Sequence, residues 1–238
     1  MDLKEAHLTD DDANSHWYYR SKSEMMLARV ARLGVDRVLD IGSGSAFFAR
    51  QIMNRTQATE IVCLDSGYEA ESSEQHGGKT ISFVPEIRHS DAELMVLMDV
   101  LEHIEDDRAF LEHFVTMARP GTYFFITVPA FQFLWSGHDV YLEHFRRYRL
   151  GQIRAVATDV GLDIHQSHYF FGTLFPVAAA LRLAERFLGS SPPSSDMRKF
   201  GDMTNALAYR ICKAEIPISR LNMIAGLSAV ILARKPPA

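Results

Sequence analysis

Apolar positions along this chain of 238 residues fall into two alternating patterns. Residues 37–41, 60–64, 80–84, 94–98 and 122–128 are runs that are mostly continuously apolar, and 228–233 forms a late one. A strand with one wet face alternates, so such runs predict strands buried on both faces. A sixth strand is read at 163–169. Helical spacing fills the gaps. Leu111, Phe114, Val115 and Ala118 follow Asp106, a helix-capping residue type, and Arg119-Pro120-Gly121 ends that helix. Ile153, Val156, Ala157 and Val160 recur at helical intervals until Gly161 stops them. Alternation of this kind predicts an α/β fold, a doubly wound, mostly parallel sheet with helices on both faces. Ligands in such sheets bind beyond the carboxyl ends of the strands. That places 40–46, Asp65, 99–103 and the residues after Pro129 on one rim.

Composition narrows the picture. At 47% hydrophobic and 23% charged, the chain reads as one globular domain, with no internal repeats. Its parts are cap helices over 1–33, a core over 34–170, a helical insertion or lid over 171–225 and a final strand over 226–238. A Gly-Ser-Pro stretch at 189–195 reads as a linker. The net charge of −5 opposes broad attraction to nucleic acid, so no such partner is expected. Cys63 and Cys212 lie far apart among apolar residues, as reduced thiols do in a cytoplasmic protein. The first fifteen residues are acidic and polar, unlike a signal peptide. No run reaches the roughly 20 apolar residues of a membrane span.

The first strand runs into a glycine turn, "VLDIGSGSAFFA". Glycines there allow positive φ and let a ligand approach the backbone. The dinucleotide pattern needs a third glycine where Phe47 stands, and Asp40 would face a diphosphate with like charge, which weakens a nicotinamide reading. Asp65 ends the second strand about 20 residues after the glycines, where an acid meets a ribose diol. A nucleoside with hydroxyls, a positive charge and no phosphate suits both acids. S-adenosylmethionine has these properties.

"VLDIGSGSAFFA", "IVCLD", "LMVLMDVLEHIEDD" and "ARPGTYFFITVP" occur in the order and spacing of class I S-adenosylmethionine-dependent methyltransferases, which the chain resembles over 15–172 and the final strand. "VLEH" is close to a signature of the branch that methylates small molecules and lipids. The resemblance implies a Rossmann-like sheet of seven strands, the last antiparallel, with S-adenosylmethionine as cofactor. It implies Gly42 and Gly44 against the cofactor backbone, Asp40 supporting the loop and the methionine ammonium, and Asp65 on the ribose. Asp99 and Val100 would line the adenine or methyl-donor side, with Tyr19 or Arg20 near the methionine carboxylate. Ala46 departs from the family's usual third glycine. The adenine-contacting acid has two candidates, Glu86 and Asp91.

The acceptor side is read from the residues after the fourth and fifth strands. Histidine's reference pKa lies near ~6.5, and His103 is placed to take a proton from a nucleophile. His138, Asp139, His144, Arg147 and Tyr148 form the densest polar segment, read as a substrate clamp whose arginines offer forked donors. The spacing of His138, Asp139, Glu143 and His144 matches no zinc motif, so no metal is expected. The insertion after the sixth strand reads as a lid or as a segment touching a membrane surface. The expected acceptor is a small molecule or a lipid- or saccharide-linked group, methylated on oxygen, nitrogen or carbon. A non-catalytic nucleoside binder and a nicotinamide-dependent oxidoreductase are the alternatives.

Overall fold

In a computed structural model, residues 15–188 and 201–237 are described. All of the predicted linker at 189–195, and all but one of the first fifteen residues, lie outside them. The elements in chain order are α1 (Trp17–Val30), β1 (Arg37–Ile41), α2 (Phe47–Arg55), β2 (Glu60–Leu64), β3 (Ser72–His76), β4 (Lys79–Val84) and β5 (Leu94–Met98). They continue through α3 (Asp107–Met117), β6 (Tyr123–Pro129), α4 (Gly137–Tyr141), α5 (Leu150–Asp159) and β7 (Asp163–Phe170). The chain ends with α6 (Phe175–Leu188), α7 (Asp202–Glu215) and β8 (Ser228–Arg234).

The strands form one sheet in the order β3-β4-β2-β1-β5-β6-β8-β7. β4, β2, β1, β5 and β6 are parallel, and β8 runs antiparallel between β6 and β7. This is the expected Rossmann-like sheet with one strand more. The addition, β3, pairs antiparallel with β4 at the edge. Its residues, SSEQH, are largely exposed and carry no apolar face, so hydrophobic patterning gives no sign of it. The pairing comes from the tight Gly77-Gly78 turn, where both residues have positive φ.

Central strands are buried on both faces, as their runs of Val, Ile, Leu, Met and Phe require; β5 is buried at every position. Parallel register aligns Ile41 with both Leu64 and Leu97, so β1, β2 and β5 end together. Asp40–Gly42, Asp65 and Asp99 therefore share one edge of the sheet. Asp106 caps α3 by accepting from the Ala109 N–H at 2.9 Å, and Gly161, at φ +86°, follows α5.

Helix α1 starts at Trp17, inside the cap segment expected over 1–33, and its N-cap is His16, whose Nδ1 accepts from the Tyr18 N–H. The aromatic segment is thus itself helical. Helix α7 and the turn after it pack on this cap helix: Asn205 of α7 accepts from the Trp17 N–H at 2.9 Å, and Arg29 donates to Ser219 Oγ in that turn at 2.7 Å. Cys63 and Cys212 are both buried free thiols. No helix among the described residues is long and apolar enough to cross a membrane.

Ala46, the N-cap of α2, sits at φ 59° and ψ 23°. Left-handed backbone costs a residue with a Cβ about 1–2 kcal/mol. Ala46→Gly is expected to raise the unfolding free energy in urea by ~0.5–1 kcal/mol, the relief being partly offset by glycine's greater unfolded-state entropy. A loss of stability would refute strain at this position.

Candidate functional site

The β1–α2 turn is held from below. Gly42 N–H donates to the Leu64 carbonyl at 2.7 Å, and at φ +65° an added Cβ would stand 2.8 Å from Val100 Cγ2. Nothing larger than glycine fits without moving Val100. Asp65 closes the turn from β2. Its Oδ2 accepts from the Gly44 N–H at 2.8 Å and its Oδ1 from the Gly67 N–H at 2.9 Å. Tyr68 donates to the Gly44 carbonyl at 2.6 Å. The Phe47 ring is 5.8 Å from that of Tyr19 and buried in the core, so it does not stand over the turn. The residue at the dinucleotide pattern's third-glycine position is thus a core residue of α2.

Asp40 is buried beneath the turn, and its Oδ2 has no hydrogen-bond partner. Burial, helped by the charge of Asp65, pushes its carboxyl up to about 7. Beside the turn lies a cavity of about 540 Å³ whose wall includes Gly42, Asp65, Glu86, Asp99, Val100 and His103. Its far side is formed by Ile87, Ile104, Phe110 and Phe114. Of the two candidate adenine-side acids, Glu86 is on the wall. Asp91 instead pairs with Arg37 at 3.1 Å on the surface.

Asp99, at φ 56°, is bound to a residue that sequence reasoning did not single out. The Lys22 ammonium, wholly buried on α1, forms an ion pair with Asp99 Oδ2 and donates to Tyr18 Oη at 3.1 Å. Thr127 donates to Asp99 Oδ1 at 3.1 Å. Burial opposes ionisation of Asp99, but Lys22 and Thr127 outweigh it and hold the carboxyl below its ordinary value. Burial and Asp99 together push the Tyr18 phenol up to about 12. A lysine one helical turn beyond Tyr18, inside an otherwise buried helix face, was the available signal. Arg20, expected near the cofactor, instead lays its guanidinium 3.8 Å over the Tyr209 ring on α7 and is not part of the cavity wall.

The polar segment after β6 binds itself. Asp139, fully buried, accepts from Arg147 Nε at 2.7 Å and Nη2 at 2.9 Å, from the Ser136 N–H at 2.8 Å, and lies 2.9 Å from His144 Nδ1. Burial opposes the charge, yet His144 and Arg147 keep the Asp139 carboxyl far below its ordinary range. Tyr148, also buried, donates to Asp107 Oδ2 at 2.6 Å and contacts the Leu101 carbonyl at 3.1 Å. The forked donors predicted to clamp a substrate are thus spent on Asp139, because a buried carboxylate must be paired. His138 stands with its ring 6.5 Å from that of His144.

Glu102 and His103 lie in a helical turn, Leu101–His103, directly after Asp99 and Val100. His103 reaches the cavity wall, with its ring 4.6 Å from that of His144 and edge-on. Burial and the charge of Asp99 push the Glu102 carboxyl well above its ordinary value.

An orphaned carboxylate oxygen on Asp40 and a cavity of ligand size with Gly42 and Asp65 on its wall agree with a nucleoside carrying a cationic tail. Comparisons with known proteins point the same way. No curated protein sequence matches the chain. Among solved structures, the Haloferax volcanii methyltransferase-type chain crystallised with the activator Trm112 superposes with a TM-score of 0.58 at 16% identity, covering 95% of this chain and 93% of that one. The N-methyltransferase NodS of Bradyrhizobium japonicum, bound to S-adenosylhomocysteine, gives 0.51 at 14% identity, over 92% and 88%. Phosphoethanolamine N-methyltransferase 2 of Haemonchus contortus, bound to S-adenosylmethionine, gives 0.53 at 18% identity, over 97% of this chain and 58% of that one. At these identities the likeness establishes the fold. Residues 16–167, more than half of the chain, match the methyltransferase domain family, and the chain belongs to that family of S-adenosylmethionine-dependent methyltransferases.

Proposed function

We propose that the enzyme methylates a small molecule, or the small head of a lipid- or saccharide-linked one, at the His103 end of the cavity. The cavity carries this reading. Its wall beyond Asp99 is made of Ile104, Phe110, His113 and Phe114 with no lysine or arginine. A polymeric anion would find no basic surface there.

S-adenosylmethionine supplies an electrophilic methyl group on a sulfonium. The chain's part is to hold and orient. In this proposal the Gly42–Gly44 backbone lies along the cofactor, Asp65 faces the ribose hydroxyls while bracing the turn, and Asp40 meets the methionine ammonium. Val100 and Asp99 line the donor side. Positioning and exclusion of water contribute most of the acceleration when the leaving group is this good. His103 faces the acceptor.

A lipid-linked acceptor has a separate observation in its favour. Val177 and Leu181 on α6, Met203 and Leu207 on α7, and Leu221 and Ile224 beyond are exposed apolar side chains. Arg182, Lys213 and Arg220 lie on the same segments, the pairing of apolar bulk with basic charge that suits a membrane surface.

Incubation with methyl-labelled S-adenosylmethionine and fractionated cell extract is expected to place label in low-mass or lipid fractions. Label confined to protein or nucleic acid would overturn the proposal. Asp65→Ala is expected to weaken S-adenosylhomocysteine by ~1–3 kcal/mol in isothermal titration, and an unchanged affinity would remove Asp65 from the site.

Asp40 makes both binding and stability depend on pH. Its carboxyl, raised to about 7, is ionised at pH 8 and protonated at pH 5.5, so affinity for the cationic cofactor should fall about tenfold between them. Asp40→Asn should flatten that dependence. Without cofactor the sign reverses. The folded chain holds this proton more tightly than the unfolded chain, so ionisation costs stability as pH rises from about 4 to about 7. In urea titrations Asp40→Asn should exceed the parent in stability at pH 8, with the gap closing toward pH 4. A pH-independent gap would refute the assignment.

A further inference from the structure

We propose that Glu102, His103 and His144 form a binding site for a divalent first-row metal ion at the acceptor end of the cavity, where the ion grips an oxygen of the methyl acceptor. One potential ligand atom from each of these residues lies within 4.8 Å of the others. Ligands bonded to such an ion at about 2.0–2.2 Å stand roughly 3–3.5 Å apart, so side-chain adjustments of about an ångström complete the set.

Glu102 is 1% exposed, and neither of its oxygens finds a hydrogen-bond partner in another residue. A buried carboxylate without partners is costly and calls for a cation or a proton. Lys22 is already committed to Asp99 and Tyr18, and Arg147 to Asp139.

His144 is oriented as a metal ligand is. Its Nδ1 lies 2.9 Å from Asp139 Oδ1, and Asp139 is itself held by the Arg147 fork and the Ser136 N–H. An Nδ1–H donated to a carboxylate leaves the lone pair on Nε2. A carboxylate behind a histidine is the usual outer support of a metal ligand, fixing both ring angle and tautomer. The His144 loop is also tied to the other ligands directly, since the Phe145 N–H donates to the Glu102 carbonyl at 2.7 Å.

Linear spacing hides this set. Among His138, Asp139, Glu143 and His144, Asp139 is consumed by Arg147, while the ligands that converge come from the end of β5 and the loop after α4. Two imidazoles and one carboxylate leave coordination positions open and suit zinc, iron, cobalt or manganese. His103 places the ion on the cavity wall. There His103 holds the cation instead of taking up a proton, the role its sequence position suggested. The acceptor is then an oxygen compound, a hydroxyl or phenol. As its O–C bond forms, the sulfonium C–S bond breaks and a neutral thioether leaves, and the hydroxyl proton passes to solvent.

The acceptor half of this inference rests on the small-molecule reading above; the cation half does not. Full-length protein treated with EDTA and then desalted is titrated with Co²⁺ and Zn²⁺, followed by calorimetry and by visible absorption of bound Co²⁺. One ion per chain is expected, with Glu102→Gln and His144→Ala each weakening it at least about 100-fold and Asp139→Asn about 10–100-fold. Unchanged S-adenosylhomocysteine affinity shows that a variant is folded, and Glu102→Gln, being isosteric, carries the test if His144→Ala fails to fold. No Co²⁺ uptake below about 1 mM, or equal uptake by the parent and Glu102→Gln, overturns the site. Stoichiometric binding combined with methyl transfer indifferent to EDTA overturns the acceptor role. Stoichiometric binding with label only in macromolecules leaves the site standing and sinks the small-molecule reading instead.

Discussion

Parallel pairing of β1, β2 and β5 brings carboxylates together at one edge of the sheet, and their charge must be answered there. Asp40, Asp65, Asp99 and Glu102 all stand at or just past the ends of buried strands, where the dielectric is low and charge is expensive. Each is handled differently. Asp65 accepts two backbone N–H groups, and Asp99 takes Lys22 and Thr127. Asp40 keeps an orphaned oxygen, and Glu102 keeps two. Buried carboxyls left without partners call for a cation or a proton. The family's cofactor, S-adenosylmethionine, carries an ammonium and a sulfonium and no phosphate.

The loop after β6 shows how a buried charge can organise a site without touching a ligand. Asp139 has no exposure, and three side chains and a backbone N–H converge on it. Removing one partner from such a pair typically costs about 3–5 kcal/mol, because the other charge is left stranded. The cluster therefore holds 136–148 in one conformation and sets the angle of the His144 ring. Tyr148 fastens the end of the segment to Asp107 and Leu101, next to the Glu102-His103 turn. Residue types that look like substrate contacts in the sequence act here on one another, and His144 packs edge-on against His103 on the cavity wall.

The cap helix closes the other side. Lys22 reaches Asp99 from α1, and α7 in turn covers α1 through Asn205, Tyr209 and Ser219 with its flanking turn. The helical insertion thus supports the cavity indirectly, by holding the helix that supplies its buried cation.

Strand placement was legible in the chain because doubly buried strands need unbroken apolar runs, and β1, β2 and β5 match their runs residue for residue. The glycine turn was legible because positive φ has few residue solutions, and Asp65 because a strand end has a fixed place in this topology. β3 was not legible, since an exposed edge strand has no apolar face to encode. Lys22, the self-pairing of Asp139 with Arg147, and the meeting of Glu102, His103 and His144 were also hidden. Each joins segments distant in sequence through side-chain charge, and one-dimensional spacing records which groups can pair but not which buried charges are left to find each other. Local pattern determined the sheet and its ligand edge; tertiary packing alone decided which polar groups on that edge are already satisfied and which still await a partner, because only folding sets their burial.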